Sequence, residues 1–404
     1  YNDYVTANFT ITDLLTHRSG LGLGAGDLMI FPDGAHFTME DLLTSFQYQE
    51  PQSAFRTVYD YDNLLYIAAG EIVARVSGIP WTKFIQTRIF DPLKMKNAVP
   101  TSSMLSQNAN IAMPHDSEKE DIIELPTFNN DLMAAAGGIY ASVEDLSKWM
   151  LVQLNSGKYG TDLSNELFSN RRQREMWQPY TTINFTHDPY PRNDQHFTAY
   201  GLGWKLNDRK GKIIVSHTGG LPGMLSKTIL VPELDLGIVV LTNSLPGGYA
   251  YYSVPEVILD SYFDLEPFDW VTQLAKQAEA TSSESDSVAT AVWNIVEEKN
   301  PSPIAIDQYV GTYTDDWFGE VEISKQGDHL YFTSKKSPKL SGPMYFYKAT
   351  TFAVKWDYQD MNADAFATFT VDEEGNGTGI SMKGISPNID FSFDFQDLDF
   401  KRKE

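Results

Sequence analysis

The 404-residue sequence carries 31 Lys and Arg against 54 Asp and Glu, which gives a formal net charge of −23. So acidic a surface repels nucleic-acid phosphates and anionic lipid head groups, which disfavours both as partners. The chain has no cysteine, so disulfides, Cys-ligated zinc and thiol catalysis are excluded. No apolar run reaches the roughly 18–20 residues of a membrane helix, so no transmembrane segment is predicted.

Capping residues predict several helices in the first half of the chain. Thr10 and Thr38 each precede an Asp three positions later, as in a capping box, and Ser142 opens an amphipathic stretch. Between the first two helices, Gly20, Gly22, Gly24 and Gly26 suggest a dinucleotide fingerprint. That fingerprint needs a preceding strand and a third glycine at another offset, so this segment is predicted to be a loop.

A longer helix is predicted behind residues 61–63. One of its faces carries Leu65, Ala68, Ala69, Ile72 and Val76. Gly78 closes the helix, and Pro80 prevents its continuation. This arrangement places Tyr61 and Asn63 at the helix entrance, on a loop that a buried element holds.

Three strands separated by short turns predict an antiparallel sheet. They cover 212–216, 227–232 and 237–242, and a further strand is predicted before them at 203–206. The stretch from Val215 to Gly223 combines a His, a hydroxyl and paired glycines, which allows close approach of the backbone to a ligand. Taken alone, it is equally typical of a glycine-rich hairpin turn that holds a hydrogen-bonded His.

The C-terminal part has a different pattern. Residues 266–302 predict a helical connector, broken by the Ser-rich piece at 281–287. Eight short strands at close spacing then predict a closed antiparallel barrel or a sandwich. The last of them is predicted at 389–396, because Phe391, Phe393 and Phe395 alternate with polar residues. These aromatic residues are most simply the core of the barrel, although a barrel that carries an apolar ligand is an alternative.

Five ordered segments together resemble one known superfamily. Tyr61-Asp62-Asn63 and His217-Thr218-Gly219 match its second and third motifs, Tyr-x-Asn and Lys/His-Thr-Gly. Flanking segments at 11–21, 136–146 and 200–204 agree in type and order. The chain therefore resembles the serine beta-lactamase and penicillin-binding-protein superfamily, in its class C-like esterase and D-peptidase branch.

This resemblance implies an α+β fold with a beta-lactamase/transpeptidase-like domain, in which helices flank an antiparallel sheet. That domain is expected at 1–265, the helical and Ser-rich connector at 266–302 and a lipocalin-like antiparallel β-barrel at 303–404. The barrel resembles the accessory domain that often follows class C-like hydrolase domains. The resemblance also implies a periplasmic or secreted location.

The resemblance assigns roles to individual residues. Tyr61 would carry a proton to the leaving group as a phenol or phenolate, with a protonated His217 as one of the cations that lower its pKa. Asn63 would hold the family's catalytic lysine and the amide carbonyl of the substrate. The backbone N–H of Gly220 would be one oxyanion donor. Thr218 and Gly219 would bind substrate.

Each assignment has a structural alternative. Tyr61 is otherwise an aromatic residue at a helix entrance, and Asn63 is otherwise an N-cap. Asp60 and Asp62 are either caps at the helix start or an anionic rim that selects a substrate with a free amine. No His pair has metal-ligand spacing, so neither a metal nor another cofactor is predicted.

One expected motif is missing from these residues. The superfamily's first motif is Ser-x-x-Lys, and no Ser in this sequence has a Lys three positions later. In the family the motif lies upstream of the 11–21 segment, so we expect an N-terminally truncated chain that is inactive as it stands. Ser19 and Ser216 have neither this spacing nor a Gly-x-Ser-x-Gly elbow and are interpreted as structural.

The resulting hypothesis is a serine hydrolase that acts through an acyl-enzyme on small esters, amides or D-amino-acid peptides. His217 stands where many relatives have Lys, which weakens the grip on a substrate carboxylate and disfavours a dedicated beta-lactamase. The alternative is a non-catalytic binding or scaffolding protein on the same fold. An upstream Ser-x-x-Lys would support the enzyme, and its absence would support the binding protein.

Overall fold

A computed structural model of the chain describes residues 2–106, 110–118, 121–185, 190–245 and 248–403. The helices in these residues are α1 (Asp3–Asn8), α2 (Ile11–Leu15), α3 (Met39–Ser45), α4 (Asn63–Ser77), α5 (Trp81–Ile85), α6 (Asp91–Leu93), α7 (Ala134–Gly137), α8 (Val143–Leu154), α9 (Asn170–Met176), α10 (Gly248–Tyr262) and α11 (Trp270–Glu297). The strands are β1 (His115–Glu118), β2 (Asp121–Glu124), β3 (Lys158–Tyr159), β4 (Asn165–Glu166), β5 (Thr181–Thr182), β6 (Thr198–Tyr200), β7 (Lys205–Arg209), β8 (Lys212–Leu221), β9 (Met224–Val231), β10 (Leu236–Thr242), β11 (Gly311–Asp315), β12 (Gly319–Gln326), β13 (His329–Ser334), β14 (Ser341–Lys348), β15 (Thr351–Val354), β16 (Ala365–Val371), β17 (Gly377–Gly384) and β18 (Asp399–Arg402).

The local signals for the helices are confirmed. Thr10 and Thr38 form complete capping boxes at α2 and α3, and the hydroxyl of Ser142 accepts the Asp145 backbone N–H at the start of α8. Gly78 ends α4 in the left-handed conformation, with φ at 74°. Glycine tolerates this conformation because it has no Cβ.

The main sheet is antiparallel, with strand order β10-β9-β8-β7-β6-β5. Alternation along β8 sends successive side chains to opposite faces. Val215 packs with Met150 of α8, whereas Ile214 packs with Leu259 of α10. Helices therefore flank the sheet, as the α+β hypothesis requires.

The C-terminal strands β11 to β18 close into a barrel in chain order. Large aromatic side chains fill its interior, including the wholly buried Tyr309, Phe332, Phe352 and Phe400. Because side chains fill the interior, these aromatic residues are better interpreted as the core of the barrel than as the lining of a site for an apolar ligand.

Two details of the C-terminal prediction were wrong. The eighth strand is Asp399–Arg402, and residues 389–396 form turns that lead into a 3-10 helix at Phe395–Asp397. Ser392 and Asp394 are buried whereas Phe391 is exposed, so the segment lacks the alternation of buried aromatic and solvated polar side chains that a half-buried strand needs. Helix α11 also continues through the Ser-rich piece without a break.

One hydrophobic core joins the barrel to the first domain. Leu28, Met29 and Ile30 lie in the same cluster of buried side chains as Trp317 and Phe318 of the barrel. All three are completely shielded from solvent. This shared core fixes the barrel against the loop that follows α2, next to the entrance of α4.

No helix in the described part of the chain has the length and apolar character needed to cross a bilayer.

Candidate active site

A cleft of about 1550 Å³ opens between the end of β8, the entrance of α4 and the barrel. The sequence-predicted site residues all line it: Tyr61, Asn63, His217, Thr218, Gly219 and Gly220. The fold thus brings together two motifs that lie far apart in the chain.

The entrance of α4 positions Tyr61 and Asn63. Asp62 is the N-cap, with its carboxylate accepting the Leu65 backbone N–H at 3.3 Å, so the structural alternative of Asn63 as N-cap is wrong. Asn63 is instead the first helical residue. Its Nδ2 donates to Oδ2 of the buried Asp27 at 2.7 Å, which fixes the orientation of the amide.

His217 is held on β8 by both ring nitrogens. Nδ1 lies 2.6 Å from the carbonyl oxygen of Thr218, which can only accept, so Nδ1 carries the proton. Nε2 lies 2.7 Å from the Tyr200 hydroxyl and accepts a hydrogen bond from it. In this tautomer the ring is neutral, and each of its two nitrogens forms a hydrogen bond.

The electrostatics of the cleft oppose charge on His217 and Tyr61. Burial, with a smaller effect of Lys205, lowers the pKa of His217 below its ordinary value. Burial together with Asp27 and Asp62 raises the pKa of Tyr61 to about 12. These shifts run against the expectation of a protonated His217 that helps Tyr61 to ionise, because desolvation opposes charge on both groups.

The β8–β9 hairpin explains the paired glycines. Residues 217–220 lie within β8, and the turn itself comes at Pro222–Gly223. A Cβ on Gly219 would collide with the Ser226 hydroxyl of the paired strand, whereas one on Gly220 would meet only Leu225, at 3.7 Å. A side chain at Gly219 would thus force the Ser226 hydroxyl to move, and the exposed Gly220 leaves room for a ligand beside the backbone.

Sequence reasoning missed His17 beneath the cleft. Its ring is fully buried among tyrosines, with centroids 4.3 Å from Tyr61 and 4.9 Å from Tyr200. Its Nδ1 accepts the Asp62 backbone N–H at 3.1 Å, and its carbonyl accepts the Asp60 N–H at 3.0 Å. Burial, with a smaller effect of His217, lowers the pKa of His17 to about 3, so the ring is neutral. The signal available in the sequence was its place inside the 11–21 segment.

Three buried carboxyl groups also underlie the cleft, and only Asp62 had been noticed in the sequence. Asp27, Asp62 and Asp394 are completely shielded from solvent. Burial raises the pKa of each, to about 8 for Asp62, and neighbouring carboxyl groups add to the effect. Asp62 therefore cannot form an anionic rim that selects a substrate amine.

No cluster of three or more His, Asp or Glu suited to a metal ion occurs among the described residues. The acyl-transfer chemistry that these residues can support uses proton carriers and backbone donors, with no step that calls for a metal.

Comparison with known families divides the chain in two. A family model described as "Beta-lactamase" matches residues 2–258, and a model described as a domain of unknown function, DUF3471, matches residues 297–402. The first match covers more than half of the chain.

Two curated relatives are similar over long stretches. The unguisins hydrolase ungD' of Aspergillus campestris is 23% identical over 350 residues, which cover 83% of this chain and 62% of that protein. The D-alanyl-D-alanine-carboxypeptidase/endopeptidase AmpH of Escherichia coli is 25% identical over 248 residues, 59% of each chain. The chain thus spans about three fifths of the length of the relatives that it matches.

Among solved structures, the octameric penicillin-binding protein homologue from Pyrococcus abyssi superimposes with a TM-score of 0.53. The alignment covers 97% of this chain and 77% of that one, at 17% identity. At this identity the likeness describes the fold, which includes both the helix-flanked sheet and the barrel.

Proposed function

The chain belongs to the beta-lactamase family, and from that premise we propose that it forms the acyl-transfer site of a serine hydrolase. The observation that carries the proposal is the meeting of Tyr61, Asn63 and the 217–220 segment in one cleft. Its substrates would be small esters, amides or D-amino-acid peptides, and the reaction would pass through an acyl-enzyme. The names of the relatives, a hydrolase and a D-alanyl-D-alanine carboxypeptidase, support this substrate class.

Each residue has a role in the proposed reaction. The Gly220 backbone N–H donates to the oxyanion, beside the space that its missing side chain leaves open. Tyr61 delivers a proton to the leaving group, and Asn63 presents its amide to the acyl group. Thr218 and Gly219 bind the substrate along β8. His217 keeps its two hydrogen bonds and fixes the end of the strand.

The nucleophile is proposed to come from outside the 404 residues. Within them no Ser has a Lys three positions later. Ser19 is buried, and its hydroxyl accepts the Leu21 backbone N–H at 3.1 Å, so it is unsuited to attack a substrate. Because the pKa of Tyr61 is about 12, the site needs a cation to make this residue an efficient proton carrier, and a Ser-x-x-Lys lysine supplies one.

The proposal is tested by intact mass after treatment with a serine-directed phosphonate. Two proteins are compared: the 404-residue chain, and the same chain with its natural upstream residues. We expect one adduct on the extended protein and none on the 404-residue chain, because removal of a nucleophile costs several orders of magnitude in rate.

Two outcomes would contradict this function. Stoichiometric labelling of the 404-residue chain at Ser19 or Ser216 would transfer the nucleophile to that residue. A well-folded extended protein that takes up no label would instead support the binding or scaffolding protein, which keeps the pocket and lacks the chemistry.

A further inference from the structure

A segment of the barrel leaves the barrel wall and reaches the cleft. This segment, residues 388–394, follows β17 and precedes β18. Asp394 anchors it to the first domain, because its Oδ2 accepts the Gly26 N–H at 2.7 Å and its Oδ1 accepts the Leu28 N–H at 2.9 Å. Both bonds are fully buried, so the position of the segment is fixed by contacts that water cannot replace.

Gly24 joins this segment to the proposed proton carrier. Its backbone N–H donates to the carbonyl oxygen of Tyr61 at 2.7 Å. On its other side, a Cβ at this position would collide with the carbonyl oxygen of Phe391. The glycine-rich loop, with φ at 73° for Gly24, therefore holds Tyr61 and the barrel segment close together.

Phe391 stands at the tip of the anchored segment. Its ring meets the Tyr61 ring edge to face, with 5.8 Å between centroids, and it borders the cleft. The side chain is still 37% exposed. A large aromatic surface is thus presented to the cleft on a rigid support, directly beside Tyr61.

We propose that Phe391 is a specificity-determining residue, and that it selects substrates whose leaving group carries an aromatic or large aliphatic side chain. The inference rests on the proposed function, in which Tyr61 protonates the leaving group and therefore lies next to it. An apolar group in this position covers the exposed face of Phe391 and removes both surfaces from water. The barrel then belongs to the substrate site.

Binding to the 404-residue chain tests the inference without any turnover. The probes are N-benzylacetamide and N-methylacetamide, which share the acyl group and differ in the amine part. Dissociation constants are measured by NMR titration. The wild type is expected to bind the benzyl compound about tenfold more tightly than the methyl compound, as burial of a phenyl ring suggests.

Phe391→Ala is expected to reduce this preference to within about twofold and to leave binding of N-methylacetamide unchanged. Tyr347→Ala is the matched control, because Tyr347 is a half-buried barrel aromatic that packs at a tilt against Phe366, outside the cleft. Gly24→Ala is expected to displace Phe391 and to reduce the preference in the same way. Unfolding midpoints of all variants are measured alongside.

A benzyl preference that survives in Phe391→Ala would overturn the inference, as would a wild type that binds neither probe. Either result leaves the phosphonate experiment to decide the proposed function independently. Conversely, loss of the preference in Phe391→Ala, combined with no phosphonate labelling of the extended protein, would support the pocket and reject the enzyme.

Discussion

The hydroxyl of Tyr200 donates to Nε2 of His217 across 2.7 Å, from β6 to β8. Since Nδ1 of the same ring donates to the Thr218 carbonyl, the imidazole is locked in one tautomer and has no nitrogen left for a substrate. His217, which the sequence predicted to be a cation, therefore acts through its two hydrogen bonds to hold the end of β8 in place. It also ties the His-Thr-Gly motif to the buried ring of Tyr200.

Tyr200→Phe should lower the free energy of unfolding by about 1–2 kcal/mol, because Nε2 of His217 loses its donor. Urea denaturation measures the change. The same substitution in a His217→Ala background should cost less, since only the hydrogen bond of the Tyr200 hydroxyl with Tyr66 is then lost. Equal losses in both backgrounds would show that the hydrogen bond contributes nothing.

His217→Lys should tighten binding of a ligand that carries a carboxylate. The substitution replaces the imidazole ring by a cation beside Thr218. Because a half-buried charge pair contributes only modestly to binding, we expect the dissociation constant of the carboxylate ligand to fall about fivefold. The measurement compares N-acetyl-D-alanine with its uncharged amide, and His217→Gln is the neutral control. If the Lys variant binds both compounds as the wild type does, no carboxylate reaches this position.

Asp27→Asn should destabilise the protein by less than about 1 kcal/mol, whereas Asp27→Ala should cost about 2–3 kcal/mol. Burial and the neighbouring Asp62 and Asp394 raise the pKa of Asp27, and it forms no ion pair among the described residues, so an amide resembles its protonated form. Chemical denaturation near neutral pH measures the free energy of unfolding of both variants.

Asp13 provides the contrast for this experiment. It is equally buried but pairs with Arg18 at 2.8 Å and Arg56 at 2.7 Å. Despite the opposing effect of burial, the hydrogen bonds from Arg56 and Thr10 hold its pKa well below the ordinary range. Asp13→Asn should therefore cost about 2–3 kcal/mol, because the charge-assisted hydrogen bonds of the buried Asp13 carboxylate to the partly exposed Arg18 and Arg56 are lost. Similar costs for Asp13→Asn and Asp27→Asn would show that Asp27 is also ionised.

A chain that stops at Phe268 should fail to unfold cooperatively. Removal of the barrel uncovers Leu28, Met29 and Ile30, and exposure of each side chain costs about 1.5–3 kcal/mol against a typical stability of about 5–15 kcal/mol. Circular dichroism during urea denaturation provides the measurement. A sharp transition in the shortened chain, with probe binding intact, would show that the barrel is an accessory domain.

His17 should make the protein less stable as the pH falls. Its pKa is about 3 in the folded chain and about 6.5 in the unfolded chain, so below about pH 6.5 the unfolded state binds the extra proton. The contribution of His17 to the free energy of unfolding is at its full value above about pH 6.5 and declines as the pH falls toward 3. It should be smaller by about 2 kcal/mol at pH 5.

Comparison with His17→Gln isolates this contribution, because Asp62 titrates in the opposite direction. The pKa of Asp62 is raised to about 8, so its contribution to stability declines as the pH rises from about 4 to 8. The stability advantage of the wild type over His17→Gln should shrink between pH 7 and pH 5. The exposed His36→Gln is the matched control, and a constant advantage across this range would contradict the prediction.

Much of the fold could be predicted because its signals are local. The capping boxes at Thr10 and Thr38, the glycine after α4 and the closely spaced strands of the barrel each depend on a few neighbouring residues. The pairing of Tyr-x-Asn with His-Thr-Gly in one cleft was equally predictable, because their order in the chain resembles a known arrangement.

The errors arose where distant contacts override a local pattern. Alternating aromatics at 389–396 predicted a strand, but Asp394 instead bonds to the backbone of residues 26 and 28, which removes the segment from the barrel wall. The same holds for the charge on His217. Its ordinary pKa allowed a cation, and desolvation against β6 and Tyr200 opposed it.

The sequence by itself determined the family, the α+β architecture with its barrel, and which segments line the cleft, since these follow from residue type, spacing and order. Only the tertiary structure decided that the barrel contributes Phe391 to the cleft, that Asp27 orients Asn63 and that His17 and His217 are neutral. The physical reason is that burial and long-range contact set both a side chain's partners and its charge, and neither can be read from neighbouring residues.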